Sequence, residues 1–328
     1  MGNSIFVAAY LILAAPLTLV KIVESLRALD DVGDVRDAGE VAGGRTGSPS
    51  SPGLPRHYGP ASVLRAAAFI VLFVVQILGL VLSQSRGPLL GLAAAMVVLA
   101  VVWAARQPDL RTRRRFTALV YVLLGVLPAA FLLAFNLAPA DSAIAALRDK
   151  PYIGRMGRVF ETEGGTGKVR VLIWQGAIDL VTADPLRTLV GYGPESMHVA
   201  YNPYYPAELA HLESRNASPD RSHNETLDML ATTGVLGFAA YLALFTCLFY
   251  YALSWLGLIA GSRVRALFLL AWFGGGALAV AAFYLWRGDM TFFGVALPAG
   301  MMAGLVHYVV LRALAGRPVI PHAGGIIV

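Results

Sequence analysis

The sequence contains few charged residues. Only 14% of its 328 residues are Asp, Glu, Lys or Arg, whereas 57% are hydrophobic. A soluble domain of this length would be roughly one quarter charged and half apolar. The apolar residues also form runs of about 20 residues, the length that crosses a hydrocarbon core. The shortage of charge therefore excludes a soluble globular protein and predicts an all-α membrane protein.

Other residue types and patterns that the sequence lacks limit the range of possible functions. The single cysteine, Cys247, lies within an apolar run, so the chain cannot form an intramolecular disulfide. Basic residues are not interleaved with exposed aromatics, so we exclude nucleic acid as a partner despite the net charge of +6. The histidines lack metal-ligand spacing, which predicts no metal and no other cofactor. The apolar start without a basic leader predicts no cleavable signal peptide.

Seven apolar runs are long enough to span a membrane. A Gly-Pro turn at Gly87 and Pro88 separates the second run from the third, because these residues end helices. The pattern predicts a multi-pass helical bundle with one large hydrophilic loop. The predicted spans are about 4–24, 64–82, 88–105, 117–136, 227–253, 266–285 and 290–311.

The runs divide the chain into six parts. Residues between the first two runs are rich in Gly, Pro, Ser and Asp, a composition typical of disorder. The predicted parts are a spanning helix (1–24), a disordered linker (25–63), three spanning helices (64–136), a loop (137–226), three spanning helices (227–311) and a tail (312–328).

Positive charges on the short connections predict the orientation, because Lys and Arg accumulate on the cytoplasmic side. One side has only Arg86 and Arg287 on its two short turns, together with the long loop. We therefore predict a cytoplasmic linker and tail and an extracytoplasmic loop. The cations of the cytoplasmic side are Arg27, Arg36, Arg45, Arg56, Arg106, Arg111, Arg113, Arg114, Arg115, Arg263, Arg265, Arg312 and Arg317.

Arg86 lies between two apolar spans, flanked by Ser83 and Ser85. An arginine near hydrocarbon costs a few kcal/mol unless it snorkels to the interface or meets an anion. It is therefore either an interfacial anchor or an anion site. We favour the anion site, because a guanidinium fork matches phosphate oxygens two at a time.

Residues 168–182 predict an amphipathic helix within the loop. Arg170 and Trp174 are four residues apart and so share one face of it. Arg170 is either a solvated side chain packed over Trp174 or a site residue, and the spacing alone leaves both open. A Gly-Pro turn containing Gly191, Gly193 and Glu195 follows, which by itself is weak evidence for phosphate binding.

A polar run closes the loop directly before the fifth span. Asp220 or Ser222 is a candidate cap for that helix, and Glu225 and Asp228 suit its positive N-terminal end. His223 lies in the middle of this run. Histidine is the side chain whose ordinary pKa, about 6.5, suits proton abstraction near neutral pH. We therefore predict that His223 is a general base.

Four motifs, in order, resemble the O-antigen ligase and O-antigen polymerase superfamily of bacterial membrane glycosyltransferases. The resemblance covers most of the chain and implies a glycosyltransferase C-like bundle with further helices before residue 1. The motifs are Gly2-Asn3 through Pro16-Leu17, Ser83-x-Ser85-Arg86-Gly87, Arg170-x-x-x-Trp174 with Gly191-x-Gly193-Pro194-Glu195, and His223-Asn224-x-x-Leu227-Asp228 with Gly234-x-x-Gly237.

The resemblance implies a reaction at the outer face of the bacterial cytoplasmic membrane. A glycan would leave an undecaprenyl diphosphate carrier for an acceptor on a glycolipid, glycan or protein, with inversion and without metal. Arg86 and Arg170 would hold the diphosphate and His223 would activate the acceptor, while Arg221 would be a third phosphate contact or would hold the loop. The supporting residues would be Ser83, Ser85, Trp174, Glu195 and Asn224.

The alternative is a non-catalytic membrane protein, either a lipid-glycan transporter or an inactive scaffold. Transporters carry polar or broken segments at mid-membrane depth. These spans are uniformly apolar, and the ionisable groups gather at the outer boundary. The pattern favours an enzyme, but it does not distinguish ligase, polymerase and protein O-glycosyltransferase, nor does it indicate the glycan or the oligomeric state.

Overall fold

A computed structural model describes residues 4–41, 60–83, 86–139, 141–150, 154, 165–214 and 217–315. In these residues every regular element is helical. The main helices are α1 (Ser4–Val41), α2 (Pro60–Leu82), α3 (Arg86–Ala105), α4 (Leu110–Leu137), α5 (Gly165–Thr182), α6 (Pro185–Val190), α7 (Met197–Ala200), α8 (Glu225–Trp255), α9 (Ser262–Arg287) and α10 (Phe293–Leu314).

Seven of these helices, α1 to α4 and α8 to α10, are long and apolar enough to cross a membrane. The all-α class and the predicted number of spans are thus confirmed. The helix α1 differs from the sequence-based division, because its backbone stays helical to Val41 although a linker was predicted from residue 25. Residues 42–59 of that linker and the tail beyond residue 315 lie outside the described residues.

The chain divides into two compact units, and the first comprises Met1–Met96. There α1 packs against α2 around the buried side chains of Ala8, Ala15 and Leu80. Small residues let the two backbones approach closely, and a Cβ atom at Gly79 would lie 3.0 Å from the Leu11 side chain.

The second unit comprises Val97–Val328. Its core lies among the spanning helices and includes the fully buried Phe268, Met301 and Leu305. The helices α9 and α10 touch through glycine, because a Cβ atom at Gly275 or Gly300 would overlap the carbonyl of the other residue. Such close contact is how spanning helices gain dispersion energy where no hydrophobic effect drives them together.

The helix α4 changes its hydrogen-bond register within the membrane. Residues Tyr121–Val126 form a π-helical turn, in which the Leu127 N–H bonds the Val122 carbonyl. Pro128 follows directly and has no N–H to donate, so the wider turn accommodates the missing bond. At the loop end of α4, the Arg148 guanidinium donates to the carbonyls of Phe135 and Ala138, at 2.6 and 2.9 Å from Nη2.

Candidate functional site

The predicted amphipathic helix is α5, and its apolar face anchors the loop. Leu172, Ile173 and Ala177 are buried against Met197 and Tyr201. The Tyr201 hydroxyl donates to the Ile173 carbonyl at 3.4 Å, and burial raises the pKa of this phenol well above its usual value. The phenol thus stays neutral, and the loop has a packed core of its own.

A second contact fastens the loop to α8, where the helix breaks at Gly234 (φ 64°, ψ −170°). A helix break leaves the carbonyls just before it without their usual partners. The Tyr192 N–H donates to the Ala231 carbonyl at 2.8 Å, and the Gly193 N–H donates to the Thr232 carbonyl at 2.9 Å. The Gly-Pro turn of the loop therefore completes the hydrogen bonding of the broken helix.

Glycine is required on both sides of this contact. Gly191 has φ 77°, and a Cβ atom there would overlap the Thr232 carbonyl. A Cβ atom at Gly234 would overlap the Leu189 carbonyl. The two glycine motifs, which are distant in the sequence, thus meet in one structural feature.

The turn before α8 is held by three hydrogen bonds. The Trp174 indole Nε1 donates to the Ser222 carbonyl at 3.0 Å. The Ser222 amide and hydroxyl both donate to Asp228 Oδ1 at 2.7 Å, and Ser222 is fully buried. The residue at the N-cap position is Asn224, so neither Asp220 nor Ser222 caps the helix as the sequence suggested. Ser222 instead ties the turn to the first helical turn through Asp228.

His223 lies at the apex of this turn in the left-handed region, with φ 54°. Its side chain is exposed, although Ser222 before it and Asn224 after it are buried. A non-glycine residue in this conformation costs about 1–2 kcal/mol, which the surrounding contacts must offset. The buried neighbours fix the backbone, and the strained residue presents its imidazole outward.

Asn224 is only 5% exposed, yet neither atom of its amide has a hydrogen-bond partner among the residues that the structure describes. The amide lies against Gly294 at the start of α10, where a Cβ atom would overlap it. Next to it, the Thr226 hydroxyl donates to the Gly294 carbonyl at 3.0 Å. The His223 turn therefore packs against the first turn of α10 as well as against α5.

If His223 is the general base that the sequence predicts, Gly294→Ala should lower glycan transfer by about tenfold or more, because small displacements of a reacting group are costly. The added methyl group must displace the Asn224 amide and, with it, the adjoining His223 backbone. The matched control is Gly274→Ala in α9, where the nearest atom of Leu270 lies 3.9 Å from the new carbon. Equal transfer rates and equal melting temperatures in the two variants would contradict this coupling.

Glu195 and Arg221 form an exposed ion pair at 2.9 Å, which joins the Gly-Pro turn to the segment before His223. Glu195 also has a positive φ of 52°. The pair borders a cavity of about 230 Å³ beside the first turns of α8, whose walls include Asp228 and Thr232. The ion pair links two parts of the loop. Both roles that the sequence left open for Arg221, a phosphate contact or a support of the loop, stay predictions.

Arg170 and Trp174 share one face of α5, as predicted. The Arg170 side chain is exposed and makes no hydrogen bond or ion pair with any residue that the structure describes. Trp174 packs edge-on against Phe292, with ring centroids 5.9 Å apart, and the Arg287 guanidinium lies 5.4 Å from the Phe292 centroid. The sequence analysis missed Phe292 and Gly294, because they lie near the start of an apolar run that carries no motif.

Ser83, Ser85 and Arg86 belong to the first unit. The Ser83 hydroxyl donates to the Leu80 carbonyl at 2.7 Å, which caps the end of α2. Arg86 is the first residue of α3. Ser85 and the Arg86 side chain lie outside the described residues.

Comparison with known proteins gives one family. A family model described as O-antigen ligase matches residues 71–242, more than half of the chain. The matched range includes Arg86, Arg170, His223, Gly191 and Gly234. Neither a curated protein nor a solved structure matches significantly.

Proposed function

Because the chain belongs to the O-antigen ligase family, we propose that it transfers a glycan from an undecaprenyl-diphosphate donor to an acceptor hydroxyl or amine. The reaction takes place at the outer face of the bacterial cytoplasmic membrane. The observation that supports this most is the His223 turn, which holds an exposed imidazole between two buried residues directly before a spanning helix. A residue that its buried neighbours hold in a strained backbone conformation is typical of a functional site.

His223 acts on the acceptor. An imidazole nitrogen takes the proton of the acceptor as its oxygen or nitrogen attacks the anomeric carbon. The new glycosidic bond forms as the bond from that carbon to the phosphate oxygen breaks. The electron pair of the broken bond leaves on undecaprenyl diphosphate, and in-line attack inverts the configuration of the anomeric carbon.

Arg86 and Arg170 act on the leaving group. Negative charge grows on the bridging oxygen as the lipid diphosphate departs, and a preorganised donor for such charge is worth about 3–4 kcal/mol. The exposed Arg170 guanidinium, without an acidic partner among the described residues, is suited to this role. Because the arginines neutralise the leaving group, we propose that the reaction needs no metal ion. Arg221 supports the loop through its ion pair with Glu195.

The test is transfer by the purified protein, supplied with carrier-linked glycan and acceptor in excess chelator. We expect transfer to continue, because the arginines neutralise the leaving group. Loss of transfer with recovery on adding a divalent cation would contradict the arginine mechanism. No transfer under either condition, with carrier-linked glycan accumulating on the inner face of cells that lack the protein, would indicate the transporter instead.

A further inference from the structure

The end of the second unit opposite the loop contains a buried arginine that the proposed reaction does not use. Residues 111–115 at the start of α4 include four arginines, and Arg106 precedes them. Arg111, Arg114 and Arg115 are exposed, whereas Arg113 is only 5% exposed. The Arg114 Nε donates to the Leu314 carbonyl at 2.9 Å, so this end of α4 lies beside the end of α10.

Arg113 has no counter-charge within the part of the chain that the structure describes. Its Nε is buried without a hydrogen-bond partner, and the ion pairs found there involve Lys21, Lys168 and Arg221 instead. A buried charge that is not compensated is strongly destabilising. None of the described side chains neutralises this guanidinium.

Asp109 is the acidic residue nearest to Arg113 in the sequence, and its carboxylate caps a helix. It is the N-cap of α4 and accepts from the Thr112 N–H at 2.6 Å. The pKa of this carboxyl is lowered, chiefly by its hydrogen bonds with Thr112, so the carboxylate stays ionised at the cap. Asp109 is also the only acidic residue between Arg106 and Arg115.

Thr117 lies one turn further along the same face of α4 and is fully buried. Its hydroxyl has no hydrogen-bond partner in the described part of the chain. Thr117 differs in this from five other helical threonines, which donate to the carbonyl four residues back. Those threonines are Thr18, Thr182, Thr232, Thr233 and Thr246.

A guanidinium and a hydroxyl on one helix face, both without partners, suit a phosphate group. Arg offers paired donors to phosphate oxygens, and the hydroxyl adds a third. The two residues lie at the end of a membrane-spanning helix, which is the depth of lipid head groups, and this end is the one predicted to face the cytoplasm. An anionic phospholipid there would balance the charge of Arg113.

We propose that Arg113 and Thr117 form a binding site for a phosphate group, contributed by an anionic phospholipid head group or by free phosphate. The site is separate from the proposed reaction and does not depend on it. The exposed Arg106 and Arg111 add long-range attraction for an anion. Bound phosphate would stabilise the contact between the ends of α4 and α10.

The test is the melting temperature of the full purified chain, titrated with short-chain phosphatidylglycerol or with inorganic phosphate. We expect phosphatidylglycerol to raise the melting temperature of the wild type, and Arg113→Gln to need about tenfold more of it. The matched control is Arg115→Gln, which removes the same charge from an exposed position of the same helix. A response to inorganic phosphate as well would identify free phosphate as a sufficient ligand, and a response to the lipid alone would identify the head group.

Thr117→Val provides a second variant if Arg113→Gln fails to fold. Without added anion this change should be neutral or stabilising, because it removes a buried hydroxyl that lacks a partner. With phosphatidylglycerol, the variant should gain less than the wild type. The proposal is overturned if neither probe stabilises the wild type, or if the response of Arg113→Gln equals that of Arg115→Gln.

Discussion

Replacing His223 with alanine should reduce glycan transfer by about 10²- to 10⁴-fold, the usual contribution of a general base. The protein should still insert and still bind its donor, because the His223 side chain is exposed and makes no described contact that holds the fold. Initial rates with purified carrier-linked glycan, together with a donor-binding measurement, would show whether chemistry alone is lost.

The left-handed backbone at His223 requires a second variant, because alanine is itself disfavoured there. Asparagine tolerates this conformation but cannot act as the base, so His223→Asn should be as inactive as His223→Ala. His198→Ala and His211→Ala are matched controls, since both remove an exposed imidazole from the same loop. Wild-type rates in His223→Asn would remove this residue from the mechanism.

Replacing Arg86 with lysine should lower transfer by about 10²-fold at unchanged membrane levels, if Arg86 holds the diphosphate as we propose. Lysine keeps the positive charge and a long stem, but an ammonium cannot present two parallel donors to one phosphate. An interfacial anchor would tolerate the change. Transfer rates normalised to the amount of inserted protein would therefore separate the two roles that the sequence left open.

The control for Arg86→Lys is Arg65→Lys, at the other end of the preceding helix α2. Arg65 is exposed, belongs to no motif and lies near the opposite end of the same span. It should tolerate lysine with little change in transfer. Full activity of both lysine variants would identify Arg86 as an anchor and would leave Arg170 alone in the proposed phosphate site.

The spans and the loop helix were predictable because each depends on local sequence. Apolar runs of the right length specify α2, α3 and α8 to α10, and the apolar face of residues 168–182 specifies α5. The extension of α1 to Val41 was not predictable in this way, since its Gly and Asp content favours disorder in isolation. The prediction followed the local composition, whereas in the structure the helix that begins in the first span continues to Val41.

The supports of the candidate site depend on contacts between distant residues. Thr226 bonds to a carbonyl 68 residues later, and Trp174 bonds to one 48 residues later. Motif resemblance singled out His223 and Gly234, but neither the left-handed turn nor the helix break can be read from residue types. Phe292 and Gly294 reach the site only because α9 and α10 pack as an antiparallel pair.

The break at Gly234 has a consequence for where the bilayer begins. The whole of α8 has 31 residues, which at 1.5 Å per residue is roughly 46 Å, well above a hydrocarbon thickness of about 30 Å. Residues 235–255 alone would cover roughly 30 Å, so the part after the break matches the hydrocarbon without tilting. We therefore expect residues 225–233 to lie in the head-group layer, next to the loop. The proposed base would then meet a carrier's diphosphate at the depth where lipid phosphates reside, and the isoprenoid chain could remain among the acyl chains throughout the reaction.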